Sequence, residues 1–206
     1  MRPGKRRSEI EALCARHRVA VKEVPSAYLT ALASTGRHNG FGARGRAPAP
    51  EAAPSGDPDL RVLVEDVQDP RNLGALLRVC EGAGVSRVLL RDRGSAPMSP
   101  VVVKASAGAT EWLEVERVVS SAREIERLKQ AGFWIYGSDA AGDPPWEIDL
   151  TGKVLICLGG EAKGLRSHTR KICDRLVGLP MRGKVESLNL ATAASALLYE
   201  AIRQRG

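Results

Sequence analysis

Three clusters of polar residues and glycines stand out because each follows a predicted strand and precedes a predicted helix. The first covers residues 66–78 and contains Asn72, Gly74 and Arg78. Open parallel sheets keep their ligand sites at the carboxyl ends of strands, so these side chains could contact a ligand. The same residues also suit an ordinary helix start, in which Asn72 caps the helix, Gly74 allows close packing and Arg78 is solvated. Spacing alone leaves both interpretations open.

The second cluster, residues 158–165, places two glycines, Gly159 and Gly160, directly before Glu161. Adjacent glycines let a ligand approach the backbone closely. A carboxylate near free helical N–H groups is electrostatically favoured, so Glu161 suits either a ligand contact or a helix cap.

The third cluster runs from residue 179 to residue 191 and joins a strand end to the last predicted helix, with Ser187 or Asn189 as its cap. The carboxyl ends of parallel strands lie at one edge of a sheet. The three strand-to-helix junctions are therefore expected to converge on a single pocket.

Strands and helices alternate along residues 59–206, which predicts an α/β fold: a mostly parallel sheet with helices on both faces. The last helix has apolar residues at spacings of three and four, as expected for a helix packed against a sheet. The predicted strands cover residues 61–67, 86–91, 112–115, 133–138, 153–159 and 175–179, and the predicted helices cover residues 72–83, 120–131, 165–173 and 189–203.

The basic charge of the chain is concentrated at its N-terminus. Residues 1–50 carry 10 basic and 3 acidic side chains, whereas residues 51–206 carry 21 of each. Residues 42–58 are rich in Gly, Ala and Pro and predict a linker. The segment before it, residues 1–41, is too short for a good core of its own. It could form a helix at Ser8–His17 and a strand at Val19–Val24, as part of a module or on a partner.

Composition excludes several classes of protein. Apolar stretches such as Val154–Leu158 fall far short of the roughly 20 residues that a membrane helix needs, so we expect a soluble protein with no membrane partner. Only 4% of residues are aromatic, which argues against binding by base stacking. The four cysteines form no CxxC pair, and we expect reduced thiols and no metal site.

Together the three clusters resemble the motifs of the SpoU/TrmH family of RNA ribose 2′-O-methyltransferases. They occur in the family's order and span nearly all of residues 60–205. Two further stretches, Ser99–Ala109 and Gly36–Gly40, resemble the branch that methylates guanosine in large-subunit rRNA. The matching residues are Asn72, Gly74 and Arg78 in motif 1, Gly159, Glu161 and Gly164 in motif 2, and Ser187, Leu188 and Asn189 in motif 3.

The resemblance implies a C-terminal trefoil knot, S-adenosyl-L-methionine as cofactor and a homodimer whose active site is completed across the interface. It places Arg78 at the ribose 2′-hydroxyl, lets Asn72 and Glu161 orient that residue and the substrate, and puts Ser187 and Asn189 in the same site. The cofactor contacts it implies are Gly159, Leu179 and Leu188, to which Ser138 at a strand end could add another.

The resemblance also implies that residues 1–41 are part of an RNA-binding domain, of which only about the second half is recognisable. Arg37, Arg44 and Arg46 are candidate phosphate contacts, or belong to a solvated tail. The implied partner is large-subunit rRNA or a pre-ribosomal particle, in the cytoplasm of a bacterium or the mitochondrion of a eukaryote. The alternatives are a non-catalytic ribosome-assembly factor, or a methyltransferase for tRNA or for an antibiotic site in rRNA.

Overall fold

The computed structural model describes residues 5–33, 38–45, 59–160 and 163–206. The chain divides into two compact units, Met1–Gly45 and Arg46–Gly206. No helix in these described ranges is both long and apolar enough to cross a membrane.

The N-terminal unit contains two helices, α1 (Lys5–Arg16) and α2 (Ser26–Ala33). The predicted helix is confirmed by α1, but the predicted strand at Val19–Val24 is wrong, because this segment has no regular structure. A strand needs a neighbour to pair its backbone groups, and the described part of this unit contains no strand. The side chains of Val19 and Val21 are 56% and 59% exposed.

Strands and helices alternate through the second unit, as the sequence predicts. The elements are β1 (Leu60–Val64), α3 (Pro70–Gly82), β2 (Arg87–Arg91), α4 (Pro100–Ala105), β3 (Val115–Val118), α5 (Ser121–Gln130), β4 (Trp134–Asp143), β5 (Val154–Leu158), α6 (Ser167–Ile172), β6 (Arg175–Val177) and α7 (Leu190–Arg205), with single 3-10 turns at Ala109–Glu111 and Pro145–Glu147.

The six strands form one sheet in the order β3-β2-β1-β5-β4-β6, and every neighbouring pair is parallel. The predicted α/β fold class is confirmed. The chain leaves β1 in one direction through β2 and β3, then crosses to β4 and returns to β5 beside β1. A crevice at such a reversal of strand order is where open α/β sheets bind ligands. The trefoil knot stays a prediction from the resemblance.

Helices cover both faces of the sheet. Alternate strand residues point to opposite faces, so Val62 and Val64 pack with α3 and α7 while Leu63 packs with α5. All five residues of β5 are buried because both of its faces are covered. This explains why the central strands read as continuous apolar runs rather than as an alternating pattern.

One predicted strand begins three residues too early. The sequence places it at 112–115, whereas β3 spans Val115–Val118. The amides of Trp112 and Leu113 instead donate to the carbonyl oxygen of Ala109, which closes a turn. The Trp112 side chain is 78% exposed and does not belong to the sheet.

Candidate active site

A cleft of about 1090 Å³ lies at the carboxyl end of the sheet. Its wall includes Asp66 after β1, Leu158 at the end of β5, Ser138 in β4 and Gly178 after β6. These four strands are consecutive in the sheet, and the cleft covers the point where the strand order reverses. Ligand pockets for small molecules usually enclose about 300–1,000 Å³, so the cleft can hold a cofactor and part of a substrate.

The glycines of the second cluster shape one wall of this cleft. The backbones of Gly160 and Gly164 pair through two hydrogen bonds of 3.1 and 2.9 Å, which closes the loop between them. A Cβ atom at Gly159 would overlap backbone atoms of Gly164 and Leu165. The close approach that the sequence predicts at these glycines is therefore made by the protein's own backbone, and Gly159, Gly160 and Gly164 all line the cleft.

An irregular stretch of β4 supplies a second part of the wall. Both Ser138 and Asp143 face Val177 of β6, so the residues between them leave the ladder. Two of these residues, Asp139 and Ala140, line the cleft together with Ser138. Bulges of this kind turn side chains away from a sheet and are common beside active sites.

The segment between β6 and α7 supplies the third part of the wall. Leu179, Met181, Ser187 and Leu188 all line the cleft. The four residues predicted to contact a cofactor thus meet at one cleft, although they come from three separate segments: Ser138, Gly159, Leu179 and Leu188.

Motif 1 and motif 3 are joined directly by a pair of asparagines. The Nδ2 atom of Asn189 donates to Oδ1 of Asn72 at 3.1 Å. Oδ1 of Asn189 accepts from the amide of Ala191 at 2.9 Å, so Asn189 caps α7. Of the two predicted caps for this helix, Asn189 rather than Ser187 takes the role. Asn189 adjoins the cleft, because Leu188 and Leu190 on either side of it line the wall.

Asn72 does not cap α3. Asp69 is the N-cap, accepting a 2.8 Å hydrogen bond from the amide of Arg71, with Pro70 in the first turn. This backbone hydrogen bond lowers the pKa of the Asp69 carboxyl below its usual range. The ordinary interpretation of Asn72 is therefore wrong, and its side chain is available for the contact with Asn189.

Gly74 and Arg78 lie on α3 beside α4. A Cβ atom at Gly74 would lie 2.6 Å from the carbonyl oxygen of Val102, so this glycine permits the close packing of the two helices. Arg78, one helical turn further on, is exposed, and within the described residues no hydrogen bond or ion pair holds its guanidinium. Arg78 is not part of the cleft wall.

Three of the predicted site residues lie outside the described residues: Glu161, Arg37 and Arg46. Arg44 is described, exposed and without regular secondary structure. Among the described residues, no group of three or more His, Cys, Asp and Glu side chains is placed to hold a metal ion.

Two arginine–aspartate pairs at the cleft were missed by sequence reasoning. Arg166 binds Asp66 through Nε at 2.9 Å, and Arg170 binds Asp139 through Nε at 2.7 Å. All four residues line the cleft. The hydrogen bond to Asp66 raises the pKa of the Arg166 guanidinium. The sequence did contain one indication of these pairs. Both aspartates lie near the carboxyl end of a predicted strand: Asp66 in the strand at 61–67 and Asp139 directly after the strand at 133–138.

Buried contacts hold the beginning of α6 against the end of β1. Glu65 is fully buried, and its carboxylate accepts from Thr169 Oγ1 at 2.9 Å and from the amide of Arg166 at 3.2 Å. Removing the partners of a buried carboxylate costs about 3–5 kcal/mol, because the charge is then left uncompensated. The position of Arg166 at the cleft is therefore fixed by its backbone as well as by its side chain.

Comparison with known proteins identifies the family to which the chain belongs. The sequence profile of the SpoU rRNA Methylase family matches residues 59–199, from β1 to most of α7. The chain belongs to the SpoU rRNA methylase family. The family match covers every element that forms the cleft.

Two curated bacterial proteins are similar to this SpoU chain. It is 44% identical over 151 residues to the 23S rRNA (guanosine-2′-O-)-methyltransferase RlmB of Pseudomonas putida, a match that covers 72% of this chain and 60% of that protein. It is 39% identical over 208 residues to the enzyme of the same name from Xylella fastidiosa, covering 96% of this chain and 83% of that one.

Solved structures show the same SpoU fold. The methyltransferase AviRb of Streptomyces viridochromogenes, determined in complex with AdoMet, is 32% identical and superposes with a TM-score of 0.69. The match covers 77% of this chain and 63% of that one. The resemblance inferred from the three motifs is confirmed.

Proposed function

We propose that this SpoU protein transfers a methyl group from S-adenosylmethionine to the ribose 2′-hydroxyl of a guanosine in large-subunit rRNA. The observation that carries the proposal is the convergence of Ser138, Gly159, Leu179 and Leu188 on one cleft, next to the hydrogen-bonded pair Asn72 and Asn189. The names of the bacterial relatives support the guanosine and the 23S rRNA.

The cleft fits the cofactor. Gly159, Gly160 and Gly178 add no side chains to its wall, and Leu158, Leu179 and Leu188 offer apolar surface for an adenine ring. Bound S-adenosylmethionine supplies an electrophilic methyl group on its sulfonium sulfur. Binding falls to Gly159, Leu179, Leu188 and Ser138.

We assign to Arg78 the stabilisation of the reacting ribose oxygen. Arginine stays protonated in proteins, so its guanidinium suits an oxygen that gains negative charge better than it suits the role of a base. A substrate phosphate or a water molecule then accepts the proton of the 2′-hydroxyl. The exposed guanidinium of Arg78 is free within the described residues to make such a contact.

Asn72, Glu161, Ser187 and Asn189 are the proposed orienting groups. The Asn189–Asn72 hydrogen bond ties the start of α3 to the start of α7, which holds motif 1 at the edge of the cleft. Ser187 lines the cleft itself. Much of the rate of such a displacement comes from alignment of the reacting atoms, which is the contribution we assign to these four residues.

We also propose a homodimer with shared active sites. Arg78 is not part of the cleft wall of its own chain, whereas Ser187 is. A second copy whose α3 faces the cleft would bring the missing guanidinium to it. A closed two-fold dimer makes two such sites, because each chain contributes the same surface to its partner.

Residues 1–41 and the linker that follows them over residues 42–58 are the proposed RNA-binding region, with Arg37, Arg44 and Arg46 as phosphate contacts. Its support is the charge of residues 1–50, which hold 10 basic and 3 acidic side chains. The reaction belongs where large ribosomal subunits are assembled: the cytoplasm if the chain is bacterial, the mitochondrion if it is eukaryotic.

Labelled methyl transfer tests the proposed reaction. The full chain is incubated with labelled S-adenosylmethionine and either unmodified large-subunit rRNA or tRNA, and the modified nucleotide is mapped. We expect label on a guanosine ribose of the rRNA. Label on tRNA alone would change the substrate class, and label on neither RNA would refute the proposal. Cofactor binding measured by calorimetry separates an enzyme from a ribosome-assembly factor, which has no need of it.

Arg78→Lys tests the guanidinium. A flexible ammonium cannot reproduce the planar donor group, so we expect a loss of methyl transfer of about tenfold or more with unchanged cofactor affinity. The pH–rate profile of the variant is compared with that of the wild type. Unchanged activity would remove any special role of the guanidinium.

Mixed dimers test whether the active site is shared. Arg78→Ala and Ser187→Ala chains are each expected to be impaired alone. If Arg78 acts in the partner's cleft, random mixing should restore about a quarter of wild-type activity, because half of the dimers are mixed and each contains one complete site. No recovery on mixing would place Arg78 and Ser187 in the same chain's site.

A further inference from the structure

The second unit is neutral in total but not in its distribution of charge. Residues 163–184 contain seven basic side chains and one acidic side chain, a net charge of +6, although residues 51–206 together hold equal numbers of both signs. This cationic segment runs from the loop after β5, through α6 and β6, to the loop before α7. Many of its residues border the cleft.

Three of the seven cations are paired with aspartates. Arg166 binds Asp66, Arg170 binds Asp139, and Arg175 binds Asp143 with Nη2 at 2.6 Å from the carboxylate. Asp66 also pairs with Arg91 at 3.0 Å and so offsets only part of the charge of Arg166, but all three arginine side chains are held by contacts within the protein. These arginines are therefore poor candidates for binding an external anion.

The other four cations are Lys163, Lys171, Arg182 and Lys184, and all four are exposed. No hydrogen bond or ion pair joins any of them to another residue in the part of the chain that the structure describes. Lys163 lines the cleft, whereas Lys171 lies on α6 outside its wall.

Arg182 and Lys184 lie on the rim of the cleft. The wall includes Met181 just before them and Glu186 just after them, so the short segment that carries both cations follows the cleft edge. The carboxylate of Glu186 offsets one positive charge. Together with Lys163, which lines the cleft from the loop after β5, these cations give the rim a net positive charge.

RNA is the partner that this rim fits. A ribose can reach the cleft only if the phosphates on either side of it cross the rim, and uncompensated cations bind backbone phosphates with release of counterions. Few aromatic residues are present to stack bases, so phosphate contacts must supply most of the affinity.

We infer that Lys163, Arg182 and Lys184 form a phosphate-binding track that holds the RNA strand flanking the target ribose. The inference rests on the proposed function, since it assigns RNA to the same cleft. It adds a second RNA contact, within the second unit (Arg46–Gly206, called the methyltransferase unit from here on), to the one proposed for the N-terminal unit. The track sets the position of the strand at the cleft, whereas the basic N-terminus adds affinity.

The test compares two triple variants of the full chain. Lys163→Gln/Arg182→Gln/Lys184→Gln removes the track. Lys129→Gln/Lys153→Gln/Arg203→Gln removes the same number of lysines and arginines from the opposite, amino-end edge of the sheet. Binding of an unmodified large-subunit rRNA fragment is measured from low to high salt, and cofactor affinity is measured by calorimetry.

We expect the track variant to bind RNA at least about tenfold more weakly and to lower the slope of log K against log salt by about 2, as three lost single-strand phosphate contacts require. The control variant should keep the wild-type slope, and both should keep the wild-type cofactor affinity. An unchanged slope in the track variant, an equal loss in the control, or a loss of cofactor binding would each overturn the inference.

The outcome is separable from that of the proposed function. Methyl transfer by the wild type reports on the reaction, whereas the salt dependence of binding reports on the track without any reaction. A wild type that binds RNA through the track but methylates none would refute the reaction alone. A wild type that transfers methyl groups with an unaltered salt slope in the variant would refute the track alone.

Discussion

The two units of this chain differ most in what holds their side chains. Among residues 6–33 and 38–45 of the N-terminal unit no side chain is buried, and apolar residues of its helices such as Leu29 and Leu32 are only partly covered. The unit that follows buries two hydrophobic clusters, one on each face of its sheet. The same residue type therefore has different surroundings in the two units: Leu13 is 55% exposed, and Leu73 is fully buried.

This difference in burial separates the unit that stabilises the fold from the unit that is proposed to bind RNA. Burial of apolar surface is the main stabilising contribution to a fold, so the methyltransferase unit sets the stability of the chain. The N-terminal unit holds its shape by local helices and surface contacts, such as the ion pair of Arg7 with Glu11 at 2.8 Å. Exposed pairs of this kind contribute little to stability, because water and salt screen them. What distinguishes this end of the chain is its charge, with 10 basic and 3 acidic side chains in residues 1–50.

Leu73→Ala and Leu13→Ala test this separation most strongly. Truncation of fully buried Leu73 leaves a cavity between α3 and the sheet and should lower the free energy of unfolding by about 2–5 kcal/mol. Truncation of Leu13 should change it by less than about 0.5 kcal/mol. Urea denaturation of both variants measures the two values, and a comparable loss from Leu13→Ala would show that the N-terminal unit has a core after all.

Gly159→Ala should destabilise the methyltransferase unit by about 3 kcal/mol, because the added methyl group overlaps backbone that cannot move freely. It should also abolish measurable cofactor binding, since the loop from Gly160 to Gly164 forms part of the cleft. Gly183→Ala is the matched control: a Cβ atom there has nothing within 4 Å. Calorimetry of both variants checks the prediction, which fails if the two alanines behave alike.

The parts of this fold that the sequence predicts correctly are those with a strong pattern. Buried strands such as β1 and β5 and the amphipathic helix α7 stand out by composition and spacing, and they lie within a few residues of their predicted positions. The errors arise where no core enforces the pattern. Val19–Val24 has strand-forming residues but no neighbouring strand, and the strand predicted at Trp112 is displaced by a turn that local hydrogen bonds close.

Prediction of the site from the sequence has the same limit. Glycines and polar residues at strand ends indicate where a cleft forms, and the resemblance identifies which of them belong to it. The pairs of Arg166 with Asp66 and of Arg170 with Asp139 join residues that are distant in sequence, and no local pattern predicts which arginine is compensated. The distinction between compensated and free cations, on which the phosphate track depends, exists only in three dimensions.

Substitutions of Asn189 are expected to have a smaller effect on stability, and they test the contact between Asn189 and Asn72. Asn189→Ala removes both the cap of α7 and the contact with Asn72, and should cost about 1 kcal/mol of stability. Asn189→Asp keeps a capping oxygen but loses the amide donor to Asn72. We expect it to retain most of the stability while still losing methyl transfer. Equal activity of Asn189→Asp and wild type would limit the role of Asn189 to the helix cap.

Deletion of residues 1–50 should have the smallest effect on stability and still alter function. Because the described N-terminal side chains are not buried, the thermal midpoint should shift by less than about 2 °C. Cofactor affinity should stay within about twofold of the wild type. RNA binding should weaken and lose salt dependence, because the deleted residues hold 10 of the 31 basic side chains.

Combining this deletion with the track variant shows how the two regions divide the RNA between them. If each contacts different phosphates, their losses in binding free energy add, as expected for separate sites with no shared partners. The deletion should then lower affinity with little change in the mapped methylation site, whereas loss of the track should lower methyl transfer even at saturating RNA. A deletion that shifts the methylated nucleotide would show instead that the N-terminal unit sets the position of the strand.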